Sequence, residues 1–142
     1  MQVVRLSDAE RDEFVAERRL GILSTYQSDG GPFSLPLWIG WDGEVVEMMA
    51  EPRSPKIKRI RADPRVSVLV ANHPDEDARW VQFNGEVTIE EDGLPTAGRL
   101  FDKYHPNGPE EMRQAWMKGF KKAAMVRLVL RPARIITYAE LF

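Results

Sequence analysis

Cysteine is absent from the 142 residues, and histidine occurs only twice, as His73 and His105. The first absence removes disulfides, thiolate nucleophiles and thiolate-ligated metal centres together. The second leaves too few imidazoles for a histidine-rich metal site or a histidine-based triad within one chain, and no metal ligand set is expected. Each histidine precedes a proline and reads as an exposed turn residue, although Tyr104-His105 also lies where it would line a substrate mouth. No Gly-x-Ser-x-Gly elbow, no Walker-type phosphate loop and no Gly-x-Gly-x-x-Gly turn occurs, so no catalytic residue declares itself. Long apolar runs are missing too: none approaches the ~20 residues of a membrane-spanning helix, and the start lacks the apolar core of a secretory leader. The expectation is a cytoplasmic protein with no membrane partner. An excess of positive charge is likewise lacking, with 20 basic against 22 acidic side chains and a net charge of −2. That balance argues against a general nucleic-acid binder.

What remains is the composition of one folded domain over residues 1–142, with 43% hydrophobic and 30% charged residues. Ser7 followed three residues later by Glu10 matches a capping box, and Phe14, Val15 and Leu20 supply an apolar stripe, so a helix over about 8–18 is predicted, ended by Gly21. Residues 22–26 form a strand that runs into a Gln-Ser-Asp-Gly-Gly turn. Residues 32–41 are extended, but Pro36 cannot donate to a sheet ladder and marks an edge, a bulge or a backbone facing a ligand. Asp42-Gly43 is a hairpin turn and 44–50 the returning strand. Strands follow at 65–71 and 80–89; in the second, Trp80, Gln82 and Asn84 share one face and Gly85 permits a bulge. Two helices are predicted over about 95–104 and 109–119, then strands over 124–130 and 134–138. Six or seven sequential strands with three or four helices fit a mainly β fold, a small antiparallel barrel with helices at its periphery.

The most concentrated chemistry lies between Glu51 and Arg65, where Arg53, Lys56, Lys58, Arg59, Arg61 and Arg65 outnumber two acidic residues. Pro52 stops the preceding strand, Ser54 is suited to cap a helix and Pro55 fits its first position. A helix start with free amides, a hydroxyl and lysines suits a phosphate; the same run also reads as a solvated basic face.

Gly-Ile-Leu-Ser-Thr (21–25), Pro-Leu-Trp (36–38), Ala-Glu-Pro-Arg-Ser-Pro-Lys-Ile-Lys-Arg-Ile (50–60), Asp-Pro-Arg-Val-Ser-Val-Leu-Val (63–70) and Arg-Trp-Val-Gln-Phe-Asn-Gly (79–85) occur in this order. Together they resemble the pyridoxamine 5'-phosphate oxidase-like split β-barrel superfamily, in its branch of flavin- and deazaflavin (F420)-dependent oxidoreductases. The resemblance implies an FMN-binding type of split barrel, a homodimer, and F420 or FMN passing hydride to an unsaturated small-molecule acceptor. It places the cofactor phosphate on Ser54, Lys56 and Lys58, with Arg53 and Arg59 available to an anionic tail. It sets the ring edge along the backbone of Pro36, Leu37 and Trp38, with Met49 and Ala50 bordering the cleft. Trp80 and Gln82 match positions that approach from the partner subunit. Arg59 stands where the family often has Asn, and Met49-Ala50 where Ser-Thr is common. The alternative is a split barrel that holds flavin, haem or a tetrapyrrole without turnover.

Overall fold

The computed structural model describes all 142 residues and contains eight strands and four helices. In chain order these are β1 (Gln2–Val4), α1 (Asp8–Ala16), β2 (Gly21–Tyr26), β3 (Pro32–Leu37), β4 (Gly40–Trp41), β5 (Val46–Ala50), α2 (Pro55–Ala62), β6 (Arg65–Ala71), β7 (Arg79–Glu90), α3 (Leu94–Tyr104), α4 (Glu110–Ala123) and β8 (Val126–Leu141). The strands form one antiparallel sheet in the order β3-β2-β6-β7-β8-β5-β4, with β1 paired to the far end of β8. The two outer strands of that order, β3 and β4, are consecutive in the chain. The sheet therefore curls until Trp38 and Ile39 join its edges covalently, which makes a barrel that the hydrogen-bond ladder leaves split.

Period-two alternation sends Leu23, Val66, Val68, Val70, Val81, Phe83, Val46, Met48, Leu128 and Leu130 into the barrel, where all are buried. Phe14 and Val15 of α1 and Ile57 and Ile60 of α2 join the same core. The capping box forms as the sequence indicates: Glu10 N donates to Ser7 Oγ at 3.1 Å and Ser7 N to Glu10 Oε1 at 2.9 Å. The helix stops at Ala16, earlier than predicted, and Leu20 is 51% exposed instead of completing the stripe. Arg19 takes the buried place, lying over the Phe14 ring at 4.2 Å and paired with Glu76 and Glu17. Gly21 opens β2 rather than closing a helix; a Cβ there would stand 2.5 Å from Ile39.

Three strand boundaries also differ from the sequence reading. β1 is too short to show a period, and residues 32–41 divide at Trp38 into two strands. The last two predicted strands are one, because β8 runs unbroken through Arg131-Pro132-Ala133. The register jumps there from Asn84 opposite Arg134 to Gly85 opposite Pro132, leaving Ala133 as the extra residue of a bulge. Gly85 makes that close approach possible, since its Cβ would meet Arg131 O at 2.2 Å.

Candidate functional site

The burial of Ile57 and Ile60 fixes the roll of α2 against the barrel. Lys58, Arg53 and Arg61 are consequently exposed, while Lys56 and Arg59 flank the buried stripe and are half-buried. Ser54 has the extended backbone of an N-cap, but its side chain caps nothing. Its Oγ is buried without a hydrogen-bond partner. Lys56 forms no ion pair, and burial, followed by the charge of Arg59, lowers its pKa against the opposing pull of Glu51. Arg59 is tied down: Nε donates to the buried Thr25 Oγ1 at 2.8 Å, and the guanidinium lies 4.4 Å from the centre of the Phe33 ring.

An orphaned hydroxyl and an unpaired half-buried ammonium thus stand two residues apart at the start of an eight-residue helix, with no acidic residue in its first turn; the Ser54 and Ile57 amides are already spent on Glu51 O and Ser54 O. The hydroxyl and the ammonium are both short of an acceptor, and a phosphate supplies acceptors. The residues present therefore fit the phosphate end of a flavin-type cofactor. No group of three or more His, Cys, Asp or Glu side chains is arranged to hold a metal.

Pro36 and Leu37 end β3, opposite Ile22 and Gly21 of β2; β3 has no ladder partner on its other side. Trp38 follows immediately, stacked on Tyr104 at 5.2 Å and 6° and on Trp116 at 5.7 Å and 26°. The Tyr104 hydroxyl donates to Arg19 O at 2.6 Å and accepts from Ile39 N at 3.1 Å, so this crossing of the barrel seam is pinned to α3. Ala50 is buried opposite Val126, and Met49 is half-buried opposite Arg127. His105, expected in an exposed turn, packs between Phe101 and Trp116.

Trp80 and Gln82 do not join this group within one chain. Both lie on the outer face of the sheet, where Trp80 stacks on Tyr138 at 5.3 Å and Gln82 Nε2 donates to Asn84 Oδ1. The ladder register lines up Pro36, Ile22, Leu69, Gln82 and Ile136 across that face, and beside them Ser34, Ser24, Ser67, Asn84 and Arg134. A hollow of about 530 Å³ opens there, lined by Ser24, Ser67, Gln82, Asn84, Arg65 and Arg134.

Sequence reasoning missed Thr25 and Phe33, which position Arg59, and Trp116 and Phe120, which continue the aromatic wall from Trp38. Their pattern within β2, β3 and α4 is that of ordinary packing residues; only the fold sets them beside Arg59 and Trp38.

The sequence model of the pyridoxamine 5'-phosphate oxidase family matches residues 7–135. Among solved structures, the protein Rv2991 from Mycobacterium tuberculosis is 26% identical, with a TM-score of 0.78 over 94% of this chain and 85% of that one. An F420 reductase is 28% identical, with a TM-score of 0.72 over 87% of this chain and 94% of that one. A FAD-binding protein from Mesorhizobium loti shares the fold at 22% identity, with a TM-score of 0.72 over 99% and 100% of the two chains. No curated protein matches the sequence.

Proposed function

Since the chain belongs to the pyridoxamine 5'-phosphate oxidase family, we propose that it is a homodimeric oxidoreductase that binds coenzyme F420 or FMN and delivers hydride to an unsaturated small molecule. The observation that carries this reading is the buried Ser54 Oγ without a partner, set at a helix start beside the unpaired Lys56. When bound, the tricyclic ring supplies the two-electron chemistry, which accounts for a site without an acid-base pair. The chain's own residues bind, orient and exclude water. Ser54 donates a hydrogen bond to the phosphate and Lys56 neutralises it, while Arg59, held by Thr25 and Phe33, closes the cradle from the side. Pro36, Leu37 and Trp38 offer the ring edge a backbone strand with no other ladder partner. Met49 and Ala50 border the same cleft.

The outer sheet face supports the dimer. Ile22, Leu69, Ile136 and Trp80 present apolar surface around a polar band, and a second copy packed there would bring its own Trp80 and Gln82 towards the first copy's cofactor. The exposed Arg53, Lys58 and Arg61 extend the positive surface beyond the cradle. A cofactor with a longer acidic tail uses more of that surface than FMN does, which favours F420.

Fluorescence titration of F420 and of FMN against wild type and Lys56→Ala tests the proposal. Loss of one charge-assisted contact from a half-exposed ammonium weakens binding by about tenfold. Equal affinity of the two proteins for both cofactors removes the assigned phosphate site.

A further inference from the structure

Arg99 and Lys103 lie four residues apart in α3 and therefore share one face of the helix. That face borders a cleft of about 390 Å³, whose other charged lining residues are Arg127 at the start of β8, Glu47 on β5 and Asp42 in the turn after β4. Glu47 orders the two arginines. Arg99 Nε and Nη2 donate to its two oxygens at 2.8 Å each, and Arg127 Nε donates to Oε2 at 3.1 Å. Arg127 Nη1 goes to Glu90, which stands outside the lining. Arg99 Nη1 and Arg127 Nη2 are left with no acceptor in the chain. Lys103 has no carboxylate partner at all. Its Nζ donates to Val15 O at 3.0 Å and to Ile39 O at 2.8 Å, which ties the end of α1 and the barrel seam to α3 and leaves the third N–H of the ammonium unspent. Burial pushes this group down to about 8.

We propose that this cleft binds a small monocarboxylate with an apolar body, the carboxylate seated on the unspent N–H groups of Lys103, Arg99 and Arg127. The site is independent of the cofactor reading, since its lining includes neither the Ser54–Lys56 cradle nor Trp38. Three cationic side chains from two elements bring donors without acceptors to one small-molecule-sized space, and a carboxylate supplies the acceptors. The charge count then selects the anion. Three cations face two carboxylates, and the single positive charge in excess suits a monoanion better than a dianion such as phosphate. Both carboxylates are engaged already: Glu47 by the arginines, and Asp42 by the Glu44 and Val45 amides, which donate to its Oδ1 at 2.8 Å each. Arg11 and Asp12 of α1, near Trp41, are bonded to each other and add no net charge. Ala16, Trp41 and Val45 supply apolar surface for the body of the ligand, and the Trp41 ring is fixed by the bond from its Nε1 to Asp12 Oδ1 at 2.7 Å. An anion beside Lys103 favours the ammonium, so affinity falls as pH climbs past about 8, whereas the arginines stay charged throughout.

The test is a titration with 4-fluorobenzoate in a buffer free of other carboxylates and of phosphate. Fluorine NMR of the ligand gives Kd at each pH, and the amide spectrum of nitrogen-15-labelled protein at pH 7 gives the location. Saturable shifts are expected at the Trp41 indole N–H and at the Gly40 and Val45 amides, with Kd about tenfold higher at pH 9 than at pH 7. Arg99→Gln, at an exposed position, is expected to weaken binding about threefold or more. Lys103→Met is expected to weaken it about tenfold at pH 7 and to abolish the pH dependence; should that variant fail to fold, the wild-type pH profile together with Arg99→Gln decides. Absence of saturable binding, or a Kd equal at pH 7 and pH 9, overturns the proposal. Shifts confined to the Ser54 and Lys56 amides hand the benzoate to the cradle and overturn it as well. Inorganic phosphate that shifts the Gly40 and Val45 amides with the lower Kd overturns the choice of a monocarboxylate.

Discussion

Replacing Ser54 with alanine separates a ligand-binding hydroxyl from a structural one by the sign of its effect. A serine that caps a helix loses ~0.5–2 kcal/mol of stability when truncated, because its oxygen accepts from a first-turn amide. Ser54 makes no such bond, and its Oγ is buried without a partner. A buried unsatisfied hydroxyl costs ~1–3 kcal/mol. Removing it is therefore expected to stabilise the cofactor-free protein by about 1 kcal/mol, once the lost van der Waals contacts of the oxygen are set against the gain. With an unfolding entropy of ~2.1 cal/mol/K per residue over 142 residues, 1 kcal/mol corresponds to about 3 °C in Tm. With cofactor the sign reverses. A hydrogen bond to a charged phosphate is worth ~1.5–3 kcal/mol, so Kd for FMN or F420 rises by about tenfold to a hundredfold. Differential scanning fluorimetry with and without saturating cofactor, alongside fluorescence titration, reads both effects. A fall of a few degrees in the cofactor-free Tm, joined to unchanged Kd values, would refute the reasoning, since the hydroxyl would then be an ordinary cap.

The two lysines of α2 should part company: Lys58→Ala, at an exposed position, changes cofactor affinity by less than about threefold at physiological salt, and an effect equal to that of Lys56→Ala would mean the roll of α2 is misjudged. Gly85→Ala drives a Cβ into Arg131 O and is expected to cost about 3 kcal/mol in urea unfolding; a loss below about 1 kcal/mol would show that the bulge yields. The Arg19 guanidinium and the His73 main-chain N–H hold the Glu76 carboxyl down at about 2. Its stabilising effect is thus complete above the ordinary glutamate value and is lost as pH falls through about 2, so the Tm gap between wild type and Glu76→Gln should narrow over that window and stay constant from pH 5 to 7. Burial pushes the Lys103 ammonium down to about 8, while its bonds to Val15 O and Ile39 O favour the charged form. The unfolded chain then holds more protons between pH 8 and about 10.5, so wild type should gain on Lys103→Met as pH rises through that range, and a gap that widens in the other direction would contradict the assignment.

Much of the architecture was legible because it is written in local pattern. Alternation marked β6 and β7, the Ser7–Glu10 spacing marked the start of α1, and Gly85 marked the bulge. What misled was also physical. Pro132 looks like a strand break, yet it falls opposite Gly85, where the ladder is already interrupted and a missing N–H costs little. Leu20 looks like the next member of a helical stripe, but the helix has ended at Ala16, and the buried place goes to Arg19, whose two terminal nitrogens donate to two carboxylates while the guanidinium lies over an aromatic face and Nε alone lacks a partner.

The same distinction divides the candidate site. Its phosphate end is a local device: Ser54, Pro55 and Lys56 are consecutive, and a cap, a helix start and a charge can be read from three letters. Its aromatic end is not local. Trp38 and Trp116 are far apart in sequence and meet because β3 and β4, neighbours in the chain, close the two edges of the sheet. That closure carries Trp38 across the seam, where Tyr104 fixes its plane and α4 lays Trp116 against it. An indole on an amphipathic helix reads as core until the partner it packs on is known, and here the partner leaves it two-fifths exposed. The proposed phosphate cradle is thus set by adjacency in the sequence, whereas the aromatic end is set by topology. A substitution of Trp116 in α4 can therefore change the aromatic end without touching Ser54, Pro55 or Lys56.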